Sequence, residues 1–447
     1  MATTVQEAID RVGFGAFQRR LFLVCAVTWA ADAAEIFLLS FALPGFSEEF
    51  DLSGGQAGLV VTSTFAGMLV GAWFWGMLAD RIGRRTGFQL TVAVFAVFGL
   101  ASAFAPDAAW LAVLRFATGF GLGGALPLDF SVFAEYLPTR NRGRWLVLLE
   151  SFWAVGTVAA AGLALVIMPT LGWRYLLATS AVAAVLVLWV RRRVPESARY
   201  LVSRGRPDEA QAILARVAAD NGVDPVGEQI VVPADESRTA GSLTALLARG
   251  MRRVTLSLWS TWLLIAFAYY GIFVWLPQVL SDEYGFLNTY VYVFFIAVVQ
   301  LPGYFSAAWL LERWGRLPVL RTYLGISGAA TFLWAVADGT TTVLVAAGLM
   351  SFFSLGAWAA LYAYTPEVYP TRIRTTGMGS ASGFARVGGV VAPLVGGALF
   401  PVSLVLALSV FAVAFVLAAV VVTSLRLETR GRPLTDTLAE EQRPALR

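Results

Sequence analysis

The chain has 447 residues, 58% of them hydrophobic and 14% charged, whereas a soluble chain carries about 25% charged residues; apolar content this high, drawn out in long runs, excludes a set of soluble domains and predicts a polytopic membrane protein. One cysteine, Cys25, excludes an internal disulfide and a cysteine metal cluster, and the absence of histidine removes the usual zinc ligand and the usual near-neutral proton carrier, so no metal or cofactor is expected. The net charge of +4 rests on 33 basic residues, all arginine, whose placement speaks to a bilayer and not to nucleic acid.

The first apolar run, Leu21 to Leu43, spans 23 residues, enough to cross a hydrocarbon core of roughly 30 Å at about 1.5 Å per residue. It is too long for a signal-peptide core, and no small-residue cleavage site follows it, so it reads as a retained span. Within it, Trp29-Ala30-Ala31-Asp32-Ala33-Ala34-Glu35 holds two carboxylates. Asp32 falls near the centre, and the spacing of three puts Glu35 on the same helix face. Ionisable groups at bilayer depth are costly, and they face a bundle interior or a water-filled cavity that marks a transport path. The alternative is a buried structural pair bonded to neighbouring helices.

Further spans follow at 57–79, 87–105, 109–133, 145–168, 173–190, 254–280, 290–311, 319–337, 341–364, 377–400 and 402–424. Pro169, Asp338 and Pro401 mark the cuts between spans 5 and 6, 9 and 10, and 11 and 12. The predicted class is an all-α membrane protein of twelve transmembrane helices. With the N-terminus in the cytoplasm, all arginines except Arg115, Arg174 and Arg386 fall in cytoplasmic segments or at their edges. The loops around 44–56, 281–289 and 338–341 carry Glu48, Glu49, Asp51, Asp282, Glu283 and Asp338 but no arginine. This positive-inside pattern predicts a multi-pass protein of the cell membrane with both termini cytoplasmic.

The one long hydrophilic segment, 191–253, predicts a bridge between two halves. Pro207 starts a helix whose apolar stripe is Ala210, Ile213, Leu214 and Val217, and Asn221-Gly222 ends it. The stretch around 222–240 reads as flexible linker. An internal repeat supports the halves. Asp80-Arg81-Ile82-Gly83-Arg84-Arg85 after span 2 matches Glu312-Arg313-Trp314-Gly315-Arg316 after span 8, and Glu135 with Arg142 matches Glu367 with Arg374. Asp80 to Glu312 and Glu135 to Glu367 share one offset of 232 positions, as do Glu196 and Glu428. The expected division is two six-helix pseudo-repeats, 1–190 and 254–424, joined by the 191–253 linker and followed by a cytoplasmic tail, 425–447. A substrate site is expected between such repeats near the midplane.

Each charged turn reads as an interhelix latch or a gate that breaks when the halves rock. Gly83 permits the tight reversal, and Asp80 is placed to accept from helix N–H groups or from arginine. Glu135/Arg142 and Glu367/Arg374 read as cytoplasmic clamps, or as surface ion pairs worth little. Gly67/Gly71, Gly119/Gly123 and Gly379/Gly383 are small-xxx-small pairs that allow close helix approach.

These motifs resemble the major facilitator superfamily. The paired Asp-Arg-x-Gly-Arg turns, Pro366-Glu367-Val368-Tyr369-Pro370-Thr371-Arg372, Pro195-Glu196-Ser197 and Glu428-Thr429-Arg430-Gly431 are similar to its sugar-porter signature. Gly13-Phe14-Gly15-Ala16-Phe17-Gln18, Ala31-Asp32-Ala33-Ala34-Glu35 through Pro44, and Tyr269-Tyr270-Gly271 through Trp275-Leu276-Pro277 resemble the branch containing synaptic vesicle glycoprotein 2, its relative SVOP and bacterial niacin transporters. The resemblance covers nearly the whole chain and implies the major facilitator fold. No large loop of the vesicle type separates spans 7 and 8, which points to a compact bacterial-type member.

Four further polar groups lie inside spans: Arg115 and Asp129 in span 4, Glu150 near the inner end of span 5, and Arg386 in span 11. Arginine stays charged and forms bidentate bonds with carboxylates. Arg386 therefore either binds an anionic substrate or is neutralised by Asp32, Glu35 or Asp129; the resemblance associates a span-11 arginine with organic-anion recognition. Arg115 reads as structural or coupling, with Asp129 its nearest charge complement in sequence. Trp29, Tyr269, Tyr270, Trp358 and Tyr362 sit mid-span and suit the wall of a flat organic ligand, although packing is the other reading of each.

The leading expectation is alternating-access transport of a small organic ion, most readily an organic or aromatic carboxylate, coupled to a proton on Asp32, Glu35 or Asp129, in a monomer. Uptake follows from the resemblance. One alternative is a sugar or polyol, for which Gln278 and Gln300 are the available amides. Another is a non-transporting receptor of the synaptic-vesicle type. An enzyme is not expected: no Ser/His/Asp set is possible without histidine, and Gly119-x-Gly121-x-Gly123 lies inside a span and follows no strand.

Overall fold

The structure is a computed structural model, and it describes residues 2–225, 229–231, 243–248, 250–370 and 373–430. Of the stretch read as linker, 222–240, residues 226–228 and 232–240 lie outside the described residues, as do Thr371 and Arg372 and the tail from Gly431. Among the described residues ten helices are long and apolar enough to cross a membrane. With two further segments they correspond to the twelve runs: helix 1 (Ala16–Glu49), helix 2 (Gly54–Ile82), helix 3 (Arg84–Ser102), helix 4 (Ala108–Glu135), helix 5 (Arg142–Glu150 and Phe152–Ile167), helix 6 (Trp173–Ala178 and Val182–Arg193), helix 7 (Arg252–Tyr284), helix 8 (Phe286–Val298 and Gln300–Trp314), helix 9 (Arg316–Ala335), helix 10 (Thr340–Val368), helix 11 (Arg374–Leu399) and helix 12 (Leu404–Thr423). The sequence cuts hold: helix 5 stops two residues before Pro169, left-handed Gly339 precedes helix 10, and the chain leaves helix 11 around Pro401.

One element differs from the expectation. Gln229–Val231 is a short strand paired in parallel with Ala2–Thr4, so this part of the linker is tied to the N-terminus. The linker helix, Pro207–Asn221, starts on proline and ends on left-handed Gly222, as its sequence predicts. Its Ala210, Leu214 and Val217 are buried.

The chain packs as two compact units. The first comprises Met1–Ile36, Ala66–Gly156 and Leu177–Arg238; the second comprises Phe37–Phe65, Thr157–Leu176 and Thr239–Arg447. In the first, the turn between helices 2 and 3 passes through Gly83 at φ 99°, outside the range comfortable for other residues. The N–H groups of Arg84 and Arg85 donate to Glu196 Oε1 at 2.9 and 3.2 Å. Arg84 Nε bridges Glu135 at 3.0 Å. In the second unit, Gly315 again has φ 99°. The N–H groups of Arg316 and Leu317 donate to Glu428 at 2.8 and 2.9 Å, and Arg316 Nε bridges Glu367 at 2.9 Å. Two turns 232 positions apart are thus built from the same parts.

This geometry revises the gate assignments. The acceptor at the helix N-terminus is Glu196, not Asp80, which is exposed and takes part through its carbonyl, accepting from Arg204 at 2.8 Å. Glu135 and Glu367 are held by Arg84 and Arg316. Arg142 donates to Gln6 at 2.5 Å and to the Leu137 carbonyl at 3.0 Å, and Arg374 donates to the Tyr369 carbonyl at 3.2 Å. Glu312 bonds Arg316 at 3.1 Å from an exposed position, and Arg313 lies over the Trp309 ring. The Tyr200 hydroxyl donates to the Arg81 carbonyl at 2.9 Å. The glycine pairs divide as well. Gly67, Gly71 and Gly123 face backbone with no room for a Cβ, whereas Gly379 and Gly383 face open space.

Within the second unit, the ends of helices 1 and 2 that carry the acidic loop pack on helices 7, 8 and 11. The Tyr290 hydroxyl donates to the Phe41 carbonyl at 3.2 Å, Thr62 donates to the Val390 carbonyl at 3.2 Å, and the Phe65 and Tyr270 rings lie 4.8 Å apart. A Cβ on Gly58 would sit 2.8 Å from the Pro393 carbonyl oxygen. These contacts hold the acidic-side ends of helices 1 and 2 against helices 7, 8 and 11.

Candidate functional site

In the first unit the two span-1 carboxylates have different environments. Glu35 is 3% exposed and ion-paired with fully buried Arg115: Nη1 lies 2.8 Å from Oε1, and Nη2 donates to the Glu35 carbonyl at 3.3 Å. The Ser180 hydroxyl donates to Glu35 Oε2 at 2.6 Å. Gly99 leaves the space this network needs, since a Cβ there would sit 2.7 Å from Oε1. Helices 1, 3, 4 and the 3₁₀ turn of helix 6 (Thr179–Ala181) therefore converge on one carboxylate. Arg115 answers Glu35 and not Asp129, the carboxylate of its own span. Removing one member of such a buried pair costs about 3–5 kcal/mol, because the other charge is left uncompensated.

Asp32 is fully buried, and neither of its carboxylate oxygens has a hydrogen-bond partner. Asp129 is also fully buried, and its carboxyl faces the Cys25 thiol. The two carboxyls lie within electrostatic reach of each other, and Glu150 and the Cys25 thiol also lie within reach of Asp129. Pro127 sits inside helix 4 two residues before Asp129, and helix 5 is interrupted at Ser151 directly after Glu150. Proline removes one helical hydrogen bond and bends the ladder. Trp29 is buried beside this group, tilted against Phe130 at 6.2 Å, with its indole N–H unbonded. A carboxyl bonded to nothing can gain or lose a proton without breaking an ion pair; Glu35 cannot.

The other site candidates lie in the second unit. Tyr269 contacts Tyr270 at 5.4 Å and Trp358 at 6.2 Å, and Trp358 lies 6.0 Å from Tyr362. Trp262 joins the wall, 5.5 Å from Trp358 and 4.7 Å from Tyr362. It lies seven residues before Tyr269, on the same helix face, a periodicity that would have found it. Half-buried Arg386 lies near Tyr270 and Tyr362. It donates to the Ser382 hydroxyl at 2.6 Å and to the Ser382 carbonyl at 3.3 Å, and its Nε has no partner. In its own unit, among the described residues, no carboxylate pairs with it. Glu35 is neutralised by Arg115, which removes one of the three partners expected for Arg386. Ser180 and Ser382 carried no signal in sequence beyond being hydroxyls in apolar runs. Among the described residues no group of three or more Cys, Asp or Glu side chains is arranged to hold a metal ion.

The family model described as "Sugar (and other) transporter" matches residues 22–439. The niacin transporter NiaP of Acinetobacter baylyi is 39% identical over 388 residues, covering 87% of this chain and 88% of that protein. The synaptic vesicle 2-related protein of Xenopus laevis is 35% identical, covering 98% of this chain and 83% of that protein. The xylose transporter XylE from E. coli, in a partially occluded inward-open conformation, superposes with a TM-score of 0.75 at 19% identity, over 94% of this chain and 100% of that one. At that identity the likeness concerns the fold, which is that of the major facilitator superfamily. The chain belongs to the Sugar (and other) transporter family of that superfamily and is a multi-pass membrane transporter of small molecules, not an enzyme.

Proposed function

We propose that the protein takes up a small organic anion, an aromatic carboxylate of the niacin class, together with a proton, by alternating access. The observation that carries this reading is Arg386. Its guanidinium lies beside Tyr270 and Tyr362, is bonded to a serine on its own helix, and meets no carboxylate in its unit among the described residues. A planar cation beside aromatic rings suits a flat carboxylate, which takes two parallel N–H bonds from arginine. Relatives named as niacin or putative niacin/nicotinamide transporters, at 39% and 37% identity, support the same class.

In this reading Asp32 carries the coupled proton, with Asp129 as its neighbour, and Glu35–Arg115 holds the helices around them. The arginine-rich side is cytoplasmic, with both termini there, in the cell membrane of a bacterial-type monomer. Residues 1–190 and 254–424 act as the two rocking halves, and Arg84–Glu135 and Arg316–Glu367 act as their latches. In this reading the contacts of helices 1 and 2 with helices 7, 8 and 11 part when substrate loads from the acidic side.

A sugar or polyol is the second reading, favoured by one observation: Gln300 is fully buried, and neither its amide oxygen nor its nitrogen is bonded. Gln278, the other amide, is held by Asp282 at 2.9 Å. Uptake of labelled nicotinate into proteoliposomes under an inward proton gradient decides between them. Accumulation collapsed by an uncoupler, and competed by benzoate but not by xylose, is expected. Competition by sugars alone would give the second reading, and binding without flux would make the protein a receptor.

A further inference from the structure

A separate cavity of about 300 Å³ lies wholly within the first unit, at its arginine-rich end. Its polar lining is Arg20, Arg85, Arg192, Arg193 and Arg216, with Asp220 the one acidic group, over an apolar floor. The arginines come from four elements: the N-terminal parts of helices 1 and 3, the last turn of helix 6, and the linker helix. Asp220 is engaged with Arg20 at 3.5 Å across a half-exposed contact. Arg192, Arg193 and Arg216 are exposed, and among the described residues no carboxylate pairs with any of them. Like charges gathered at one cavity repel, and a bound anion would relieve that repulsion. Arg192 and Arg193 follow directly on the apolar run of helix 6, which sets the cavity at headgroup depth.

We propose that this pocket binds a phosphoryl group, carried by an anionic lipid headgroup or by a free organophosphate. Arginine forks match phosphate oxygens bidentately, and basic pockets between membrane helices at this depth hold anionic headgroups. Binding would also act on the linker. The linker helix is already docked at its C-terminal end beside the cavity, where Asn221 Oδ1 accepts from the Phe17 N–H at 3.0 Å and Nδ2 donates to Gln18 at 2.8 Å. A phosphate between Arg216 and Arg192–Arg193 would add a tie from the linker helix to helix 6. The inference is independent of the transported substrate.

The test uses the full-length protein in neutral detergent, with dioctanoyl phosphatidylglycerol, inorganic pyrophosphate and zwitterionic dioctanoyl phosphatidylcholine as probes. Affinity is read by native mass spectrometry and by the shift in unfolding temperature. At least one anion should bind more tightly than phosphatidylcholine and raise the unfolding temperature, and its affinity should fall as salt rises. Arg192→Gln/Arg216→Gln should weaken that binding roughly thirtyfold. Phosphatidylglycerol binding without pyrophosphate binding assigns the pocket to lipid; the reverse assigns it to a soluble anion. The proposal is overturned if neither anion exceeds phosphatidylcholine, or if the double variant binds them as the parent does. Should the variant unfold, a salt-independent affinity in the parent overturns it equally.

Discussion

Arg115 donates to Glu35 at 2.8 Å in a fully buried ion pair, while Asp32, one helical turn earlier on the same face, is bonded to nothing. A pair that looks symmetric along the helix is therefore divided between two environments. Glu35 belongs to the scaffold that ties helices 1, 3, 4 and 6. Asp32 carries no such bond.

Arg115→Met should destabilise the protein by about 3–5 kcal/mol by stranding Glu35. Adding Glu35→Gln should recover much of that loss, since the pair is then removed together. Denaturant unfolding in micelles of both single variants and the double variant measures the coupling, and additive losses would mean the pair contributes nothing jointly.

Arg386→Ala should weaken binding of an aromatic carboxylate about ten- to hundredfold, the range for a lost hydrogen-bonded charge. The unfolding midpoint should hardly move, because no carboxylate of its unit depends on this arginine among the described residues. Ligand titration of the thermal midpoint measures both quantities at once.

Glu428 lies outside the spans. Burial pushes its carboxyl up, but N–H groups of Arg316, Leu317, Arg430 and Thr429 outweigh burial and hold it below the ordinary value of 4.5. A depressed folded value means that the cap contributes its stability above pH 4.5 and loses it as pH falls through the folded value. Glu428→Gln should cost about 1–2 kcal/mol at neutral pH, as for other helix N-terminal caps, and should flatten that acid limb. Unfolding midpoints taken from pH 3 to 7 compare the two.

Gly58 faces the Pro393 carbonyl, and a Cβ would already sit 2.8 Å from it. Gly58→Trp should prevent closure of the acidic side, abolishing flux while leaving ligand binding within a few-fold of the parent. A cysteine placed at Val390 should at the same time become open to a membrane-impermeant maleimide added from the acidic side.

The helices were legible because each apolar run is long, and because Gly83, Pro169, Gly315 and Pro401 interrupt the hydropathy where the chain turns. The repeat was legible for the same reason that Glu196 and Glu428 now have matching roles. Pairings across helices were not legible. The repeat offset matches Glu367 with Arg374, whereas the arginine that meets Glu367 among the described residues is Arg316, 51 positions back in the chain. Helical spacing sets Asp32 and Glu35 on one face, but it cannot say which neighbouring helix brings an arginine to one and not to the other. The strand at Gln229–Val231 is three residues long and gains its order from Ala2–Thr4, a pairing no local pattern announces.

The most direct test of the account is Asp32→Asn in proteoliposomes, with nicotinate flux followed under an imposed proton gradient and, separately, in equilibrium exchange without one. The account predicts a folded variant that still exchanges nicotinate but no longer accumulates it against its gradient. Gradient-driven accumulation at the parent level would contradict it.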